Sequence, residues 1–240
     1  MSETFFDVST FAYAHRGLWR GATPENSIAA FIAAQAAGVG VELDVRLTAD
    51  NVPVVFHDAG LERMCGQREL LGRIASADLK DHLLPDGSMI PTLEQVLDIM
   101  VLPVLIELKV DGMAGEIASR VANIIADRPQ QLAVMSFDEP TVAQLCRLVA
   151  DRPVGLLAIA DNHVEEDIAG KAATARAMGC DYIAPHHSIL AKIEAAAGGL
   201  PMVTWTVRTA EELALARKYG AAPIFEGFSA DLAKPAGTPI

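Results

Sequence analysis

The amino-acid sequence predicts an α/β protein built as one (β/α)8 TIM barrel. The chain has 240 residues, of which 51% are hydrophobic, so it can bury one large core. Short apolar runs rich in β-branched residues alternate with alanine-rich segments of helical periodicity, which is typical of repeated βα units. Several apolar runs end in charged or imidazole side chains, and barrel enzymes carry their active-site residues at those strand ends.

The predicted strands number eight, the number that closes such a barrel. They are Phe11–Ala14, Val39–Asp44, Pro103–Lys109, Leu132–Ser136, Val154–Ala158, Tyr182–Ala184, Met202–Val207 and Pro223–Glu226. Helical periodicity occurs between them at Ser27–Ala37, Ala114–Ala126, Glu139–Val149, Glu166–Ala177, Ser188–Ala197 and Ala210–Tyr219. Asn26 or Ser27 is suited to cap the first of these helices.

A further apolar run, Val52–His57, is predicted to form a hairpin with the strand before it. Only a few residues separate the two runs, whereas a parallel neighbour needs a crossover of about a dozen residues. A turn near Asp50 returns His57 to the level of Glu42–Asp44. The hairpin therefore brings a second histidine to a pair of acidic residues.

The segment from about 59 to 91 carries charges and four glycines but shows no clear strand pattern. Because barrel enzymes place their specificity loops at the C-terminal mouth, we expect this segment to be a small insertion that caps the mouth. The rest of the chain has no linker or repeat, so we predict a single domain over residues 1–240.

Composition excludes several classes of partner. The net charge of −12 repels nucleic acid, so an anionic substrate must be a small molecule.

Three widely spaced cysteines indicate neither a disulfide framework nor a zinc knuckle. No secretory signal and no transmembrane segment is visible, and we expect a cytoplasmic protein. The oligomeric state is not indicated.

Carboxylates end two of the predicted strands. In Glu42-x-Asp44 and in Glu107-x-Lys109 the two side chains share one face, because side chains alternate along a strand. If that face is the barrel interior, Glu42, Asp44 and Glu107 converge. Convergent carboxylates with few soft ligands favour a hard divalent cation, Mg²⁺ or Ca²⁺, over zinc.

Two histidines and two cations accompany this acidic cluster. His15 and His57 on opposite sides of a reacting group can share general acid and general base roles near neutral pH. Arg16 offers a planar donor fork and Lys109 a point charge, the two ways in which proteins hold phosphate. Each of these residues taken alone could have a purely structural role, but their combination indicates cleavage of a phosphoester. Glu25 and Asn26 are also placed to reach the mouth.

The motifs that carry these residues resemble those of the glycerophosphodiester phosphodiesterases. They are Ala-His-Arg-Gly at 14–17, Pro-Glu-Asn-Ser at 24–27, Glu-Leu-Asp-Val-Arg-Leu-Thr at 42–48, Phe-His-Asp at 56–58, Ile-Pro-Thr-Leu-Glu at 90–94, Glu-Leu-Lys at 107–109 and Thr-Trp-Thr-Val at 204–207. The resemblance implies metal-dependent hydrolysis of glycerophosphodiesters to glycerol 3-phosphate and an alcohol.

By position, the resemblance implies His15 and His57 as the acid/base pair and Glu42, Asp44 and Glu107 as metal ligands. Arg16 and Lys109 are then the phosphate holders, and Asp58 supports His57 or the mouth. The last strand departs from the family pattern Thr-Asp-x-Pro, because residues 224–228 read Ile-Phe-Glu-Gly-Phe. A role for an aspartate cannot be transferred there, and Glu226 is the candidate replacement.

Two alternatives remain open. The first is a related phosphodiesterase that acts on phospholipid headgroups, similar to a sphingomyelinase D or a phosphoinositide-cleaving lipase, although the acidic charge disfavours it. The second is a binding protein that keeps the metal site but has lost turnover.

The sequence also suggests a substrate preference. If the mouth is lined by Trp205, Phe137 and Phe228, aromatic contact favours a choline-like cation in the substrate.

Overall fold

Eight parallel strands close into a barrel with helices between them, which confirms the predicted class. The computed structural model describes residues 6–111, 114–159 and 168–235. The strands are β1 (Tyr13–His15), β2 (Gly40–Leu47), β3 (Pro53–Val55), β4 (Val104–Leu108), β5 (Leu132–Ser136), β6 (Val154–Ala158), β7 (Tyr182–Pro185), β8 (Met202–Val207) and β9 (Ala221–Phe225). All except β3 are parallel, and β1 pairs with both β2 and β9, which closes the ring.

Helices follow most of the strands. They are α1 (Ile28–Ala36), α2 (Glu62–Cys65), α3 (Leu93–Ile99), α4 (Ala114–Ile125), α5 (Glu139–Leu148), α6 (Ile168–Met178), α7 (Leu190–Ala197), α8 (Ala210–Lys218) and α9 (Ala230–Ala233). Short 3-10 helices lie at Val8–Thr10, Leu71–Arg73, Ser76–Asp81 and His187–Ile189. No helix in these described ranges is long and apolar enough to cross a bilayer.

The predicted hairpin is present. Strand β3 runs antiparallel to the end of β2, with Val55 opposite Val45. The backbone N–H of Phe56 then donates to the carbonyl of Asp44 at 2.9 Å. Because this pairing continues to Phe56, the next residue, His57, emerges beside the carboxyl end of β2. The short connection therefore decides the position of the second histidine.

Two tyrosines fill the barrel interior, and each lies beside a glycine of the neighbouring strand. Tyr13 pairs with Gly40, and Tyr182 pairs with Gly155. A Cβ atom on Gly40 would lie 2.8 Å from the Tyr13 ring, and one on Gly155 would lie 2.4 Å from the Tyr182 ring. Each tyrosine hydroxyl donates to a backbone carbonyl, at 2.8 and 3.0 Å respectively. The barrel interior below the mouth is therefore close-packed with side chains.

The insertion after β3 has an apolar cluster of its own. Val54 and Phe56 provide its barrel side, and Leu61, Leu71, Ile74, Leu79, Leu84 and Ile90 pack against them. His82 lies in a charged, glycine-containing stretch of the sequence that is typical of a solvated loop, but it is buried here at 8% exposure and contacts Gln67. The single-domain organisation stays a prediction.

Most predicted element boundaries agree with the structure to within two residues. Helix α3 was not predicted, although Thr92 and Gln95 form a capping box, a recognisable helix start. The predicted helix at 166–177 begins outside the described residues and is found at Ile168–Met178. His163, which precedes this predicted helix and is expected from the sequence to be a solvated loop residue, also lies outside the described residues.

Candidate active site

Strand alternation places a layer of polar side chains at the carboxyl ends of the strands. Val41, Leu43 and Val45 of β2 belong to the core beneath the helices, so Glu42 and Asp44 point into the barrel. The same alternation applies to three other strands. Tyr13, Leu105 and Ile224 point into the barrel interior, and the residues two positions later on the same face are His15 on β1, Glu107 on β4 and Glu226 just after β9. Tight apolar packing below and polar groups above define the mouth.

Three buried carboxylates converge in this layer. One ligand oxygen from each of Glu42, Asp44 and Glu107 lies within 4.8 Å of the others, in the arrangement that the strand ends predicted. Burial, together with the charges of Asp44 and Glu107, raises the pKa of Glu42 well above its usual value. Burial also raises the pKa of Glu107, to about 7, against the opposing charge of Lys109. Removal from water and the neighbouring carboxylates therefore disfavour the ionised form of both glutamates.

Lys109 and Arg16 are the cations that face this cluster. The Lys109 ammonium lies 3.1 Å from Asp44 Oδ1 and 2.5 Å from Glu107 Oε1. Arg16 Nε lies 3.1 Å from Asp44 Oδ2, and the Arg16 backbone N–H donates to Glu42 Oε2 at 3.2 Å. Although burial opposes ionisation, the charges of Lys109 and Arg16 hold the pKa of Asp44 well below its usual range. Asp44 is therefore the ionised centre of the cluster.

The Asn26 side chain is a hydrogen-bond donor to Asp44 and does not cap the helix. Its Nδ2 donates to Asp44 Oδ2 at 2.9 Å, and its backbone has a positive φ of 55°. Ser27 caps α1 instead, by accepting from the Ala30 N–H at 3.2 Å. Arg16 also has a positive φ, and its carbonyl accepts from the Asn26 N–H at 2.9 Å. The loop after β1 is thus folded back so that Asn26 reaches the acidic cluster.

Each candidate catalytic histidine is paired with a carboxylate through Nδ1. His15 Nδ1 lies 2.5 Å from Glu226 Oε2, and His57 Nδ1 lies 2.7 Å from Asp58 Oδ1. An ionised carboxylate only accepts, so these contacts put a proton on Nδ1 and leave Nε2 free in both rings. His15 lies opposite Glu42 in the parallel register of β1 and β2, and His57 follows Phe56, which bonds to the Asp44 carbonyl, so both histidines emerge beside the acidic cluster.

Both carboxylate partners are ionised. Burial opposes ionisation of Asp58, but hydrogen bonds from Arg63 and His57 lower its pKa to about 2. Burial likewise opposes ionisation of Glu226, but its hydrogen bonds with His15 and Arg208 lower the pKa to about 2. Burial lowers the pKa of the His57 imidazole, so its neutral form is favoured near neutral pH. A neutral imidazole with a free Nε2 is suited to take a proton.

Glu25 connects the mouth to the insertion. It accepts from Arg16 at 2.8 Å, and Arg63 of α2 donates to it at 2.7 Å. Arg63 Nε also donates to Asp58 Oδ2 at 2.6 Å. Arg63 therefore joins the insertion to the loop after β1 and to the His57–Asp58 pair, and an insertion that caps the mouth stays a prediction.

The aromatic side chains are only partly arranged as the sequence suggested. The rings of Phe137 and Trp205 meet edge to face at 5.3 Å, and the Trp205 indole donates to the Ala184 carbonyl at 2.8 Å. Phe228 instead stacks on Phe225, whose side chain belongs to the core beneath the helices. His186 adds a third ring to the pair, 4.9 Å from Trp205.

Two residues of the site were not predicted from the sequence. Arg63 and Arg208 each donate to a carboxylate that holds a histidine, at 2.6 Å. Exposed arginines on a short helix and after a strand carry no local signal of this role. The position of Arg208 after β8 was the available clue, because strand ends line the mouth.

Comparison with known proteins identifies the family to which the chain belongs. The family model described as "Glycerophosphoryl diester phosphodiesterase family" matches residues 15–229. "Probable glycerophosphodiester phosphodiesterase 2" of Mycobacterium tuberculosis is 32% identical over 144 residues, which are 59% of this chain and 53% of that protein, so the match spans about half of the relative. "Probable glycerophosphodiester phosphodiesterase 1" of the same species is 28% identical over 246 residues, covering 88% of this chain and 87% of the relative.

Among solved structures, an Oleispira antarctica phosphodiesterase in complex with the product sn-glycerol-3-phosphate superimposes with a TM-score of 0.80. It is 22% identical in sequence and covers 92% of this chain and 94% of its own, a similarity that supports the fold.

Proposed function

This chain belongs to the glycerophosphoryl diester phosphodiesterase family, and on that premise we propose that it hydrolyses glycerophosphodiesters to glycerol 3-phosphate and an alcohol. The observation that carries the proposal is the arrangement of two histidine–carboxylate pairs around one cluster of buried carboxylates and cations. The product complex of the Oleispira antarctica phosphodiesterase supports a small glycerophosphodiester as the substrate. Location in the cytoplasm stays a prediction.

The residues of the acidic cluster fit a divalent cation. Three carboxylates face two cations, and burial, together with the charge of Asp44, raises the pKa of Glu42 and of Glu107. Asp44 Oδ1 and Glu107 Oε1 are buried without a well-directed hydrogen bond, and their charged neighbour is Lys109. Hard oxygen donors of this kind suit Mg²⁺ or Ca²⁺. When bound, the cation would supply charge that stabilises the phosphate oxygens.

In the proposed reaction, Arg16 and Lys109 hold the non-bridging oxygens of the phosphate and offset the charge that develops on them. One histidine enters as the neutral ring and accepts the proton of the attacking hydroxyl at Nε2. The other enters as the imidazolium, with protons on both nitrogens, and donates the Nε2 proton to the leaving alcohol. The attacking hydroxyl belongs either to water or to the neighbouring carbon of the glycerol moiety. Rapid-quench detection of a cyclic glycerophosphate distinguishes the two.

The first test is release of glycerol 3-phosphate from glycerophosphocholine. We expect His57→Ala and His15→Ala each to lower kcat by about 10²–10⁴-fold, the contribution of a positioned acid or base. His82→Gln is the matched control, since His82 lies in the insertion beside Gln67 and away from the cluster. Full activity of His57→Ala contradicts the assignment of that residue.

The same assay separates the alternatives. Activity on intact phospholipid without activity on glycerophosphodiesters supports the lipase-like alternative, and binding without turnover supports the inactive one. Comparing choline, ethanolamine and glycerol esters tests the aromatic pair of Phe137 and Trp205. A preference for choline that disappears in Trp205→Leu supports cation–π recognition at that pair.

Metal dependence has a test that does not require turnover. Because a ligand that binds only the folded state stabilises it, Mg²⁺ or Ca²⁺ at about 100 times its Kd adds about 2.7 kcal/mol to the free energy of unfolding. For a chain of this size that amount raises Tm by roughly 5–10 °C over the EDTA-treated protein. Glu107→Gln should abolish the shift. An equal shift in this variant and in the wild type argues against Glu107 as a ligand.

A further inference from the structure

The barrel closes so that the end of its last strand contacts the histidine at the end of its first. Glu226 follows β9, and its backbone N–H donates to the Val207 carbonyl of β8 at 3.1 Å. Its carboxylate, with 15% of the side chain exposed, contacts His15 Nδ1 through Oε2 at 2.5 Å and accepts from Arg208 Nε through Oε1 at 2.6 Å. Each oxygen of Glu226 therefore has a separate partner.

An independent part of the chain repeats this arrangement. Asp58 contacts His57 Nδ1 through one oxygen at 2.7 Å and accepts from Arg63 Nε through the other at 2.6 Å. The two histidine–carboxylate–arginine groups come from different parts of the chain, one from the hairpin and the insertion and the other from the barrel closure. Repetition of the same three groups by unrelated segments indicates a shared chemical requirement.

We propose that Glu226, oriented by Arg208, is the positioning residue of His15. It holds the proton of the neutral imidazole on Nδ1, keeps Nε2 free for proton transfer, and stabilises the imidazolium when Nε2 is protonated. This inference rests on the proposed function in so far as His15 is an acid or base of the reaction.

The substitution Glu226→Gln distinguishes positioning from mere packing. Arg208 donates only, so it selects the amide oxygen and turns the amide nitrogen toward His15. That nitrogen donates to Nδ1 and forces the proton of the ring onto Nε2, which is the wrong tautomer for a base. The substitution also removes the acceptor for Nδ1–H that stabilises the doubly protonated ring of an acid. Replacing the aspartate of a catalytic triad by asparagine acts by this route and lowers kcat about 10⁴-fold.

We therefore expect Glu226→Gln to be more damaging than Glu226→Ala, although glutamine is the more conservative change. Glu226→Gln should lower kcat by about 10²–10⁴-fold with KM within about threefold, and Glu226→Asp should restore part of the loss. Glu69→Gln is the matched control, because Glu69 faces His82 in the insertion at 3.9 Å. Circular dichroism and Tm establish that each variant is folded.

Nitrogen-15 NMR of the histidine rings reads the tautomer directly and does not depend on turnover. The His15 signals, assigned as those missing from His15→Gln, should show Nδ1–H in the wild type and Nε2–H in Glu226→Gln. An unchanged tautomer, or a kcat lower in Glu226→Ala than in Glu226→Gln, overturns the proposal. If the wild type fails to hydrolyse glycerophosphodiesters, the proposed function is wrong, and the NMR result still decides whether Glu226 positions His15.

Discussion

Asn26 offers the sharpest test of how the site is built, because one residue serves both the backbone of a loop and the orientation of Asp44. Its φ of 55° lies in the left-handed region, where asparagine and glycine are tolerated and alanine is strained by about 1–2 kcal/mol. Its side chain, buried at 2% exposure, donates to the ionised Asp44 at 2.9 Å. A hydrogen bond to a charged group contributes about 1.5–3 kcal/mol.

These two contributions predict an order of stability among variants. Asn26→Gly loses the hydrogen bond but adds no backbone strain, so the free energy of unfolding should fall by about 2 kcal/mol. Asn26→Ala loses the bond and adds backbone strain, so its free energy of unfolding should fall by about 3 kcal/mol. For a chain of this size the alanine variant should melt roughly 6–12 °C below the wild type. Both variants should also bind Mg²⁺ or Ca²⁺ about 10–100-fold more weakly, since Asp44 loses its orienting partner.

The assay is urea unfolding followed by circular dichroism in EDTA, so that metal binding does not contribute. Asn51 is the matched control, because it has a φ of 62° but lies in the turn before β3, where its backbone N–H donates to the Thr48 carbonyl. Asn51→Gly should be nearly neutral, and Asn51→Ala should lose only the strain. If Asn26→Ala is as stable as the wild type, or more stable than Asn26→Gly, the reasoning is refuted.

Two further predictions concern the framework of the site. Gly155→Ala would place a Cβ atom 2.4 Å from the Tyr182 ring, so it should lower the free energy of unfolding by about 1–3 kcal/mol, measured by urea unfolding. An unchanged free energy of unfolding would show that the Tyr182 ring can move aside without cost. Hydrogen bonds from Thr48 and Ser76 lower the pKa of Asp50 to about 2, below its usual value, so this carboxylate stabilises the fold above pH 4 and the stabilisation is lost as the pH falls toward 2. Asp50→Asn should therefore be less stable than the wild type by about 1 kcal/mol at pH 7, and the difference should shrink below pH 4; a difference that persists at pH 2 would contradict the ionic origin.

Much of the fold follows from local sequence pattern. Parallel strands alternate with helices because apolar runs of period two alternate with runs of helical period, and eight such strands close a barrel. The boundaries of β5, β6 and β8 were predicted to the residue. Helix α3 was missed because its apolar run is short and the capping box of Thr92 and Gln95 is its main signal.

The convergence of the carboxylates was also predictable. Glu42 and Asp44 share the interior face by alternation, and Glu107 lies opposite Asp44 in the parallel register of β2 and β4. The short connection before β3 placed His57 near them. By contrast, Asn26 was expected at a helix end or at the mouth, and its contact with Asp44 depends on the positive φ of two loop residues.

The sequence by itself determined the strand order, the face of each strand that looks inward, and therefore the set of side chains at the mouth. Alternation and connection length are local properties, and they suffice to decide these features. Only the tertiary structure decided which of those side chains touch. Closure of β9 on β1 brings Glu226 to His15 across 211 positions of sequence, and the insertion brings Arg63 to Asp58 and Glu25. Such contacts depend on ring closure and on side-chain rotamers, which the packing of the whole barrel selects.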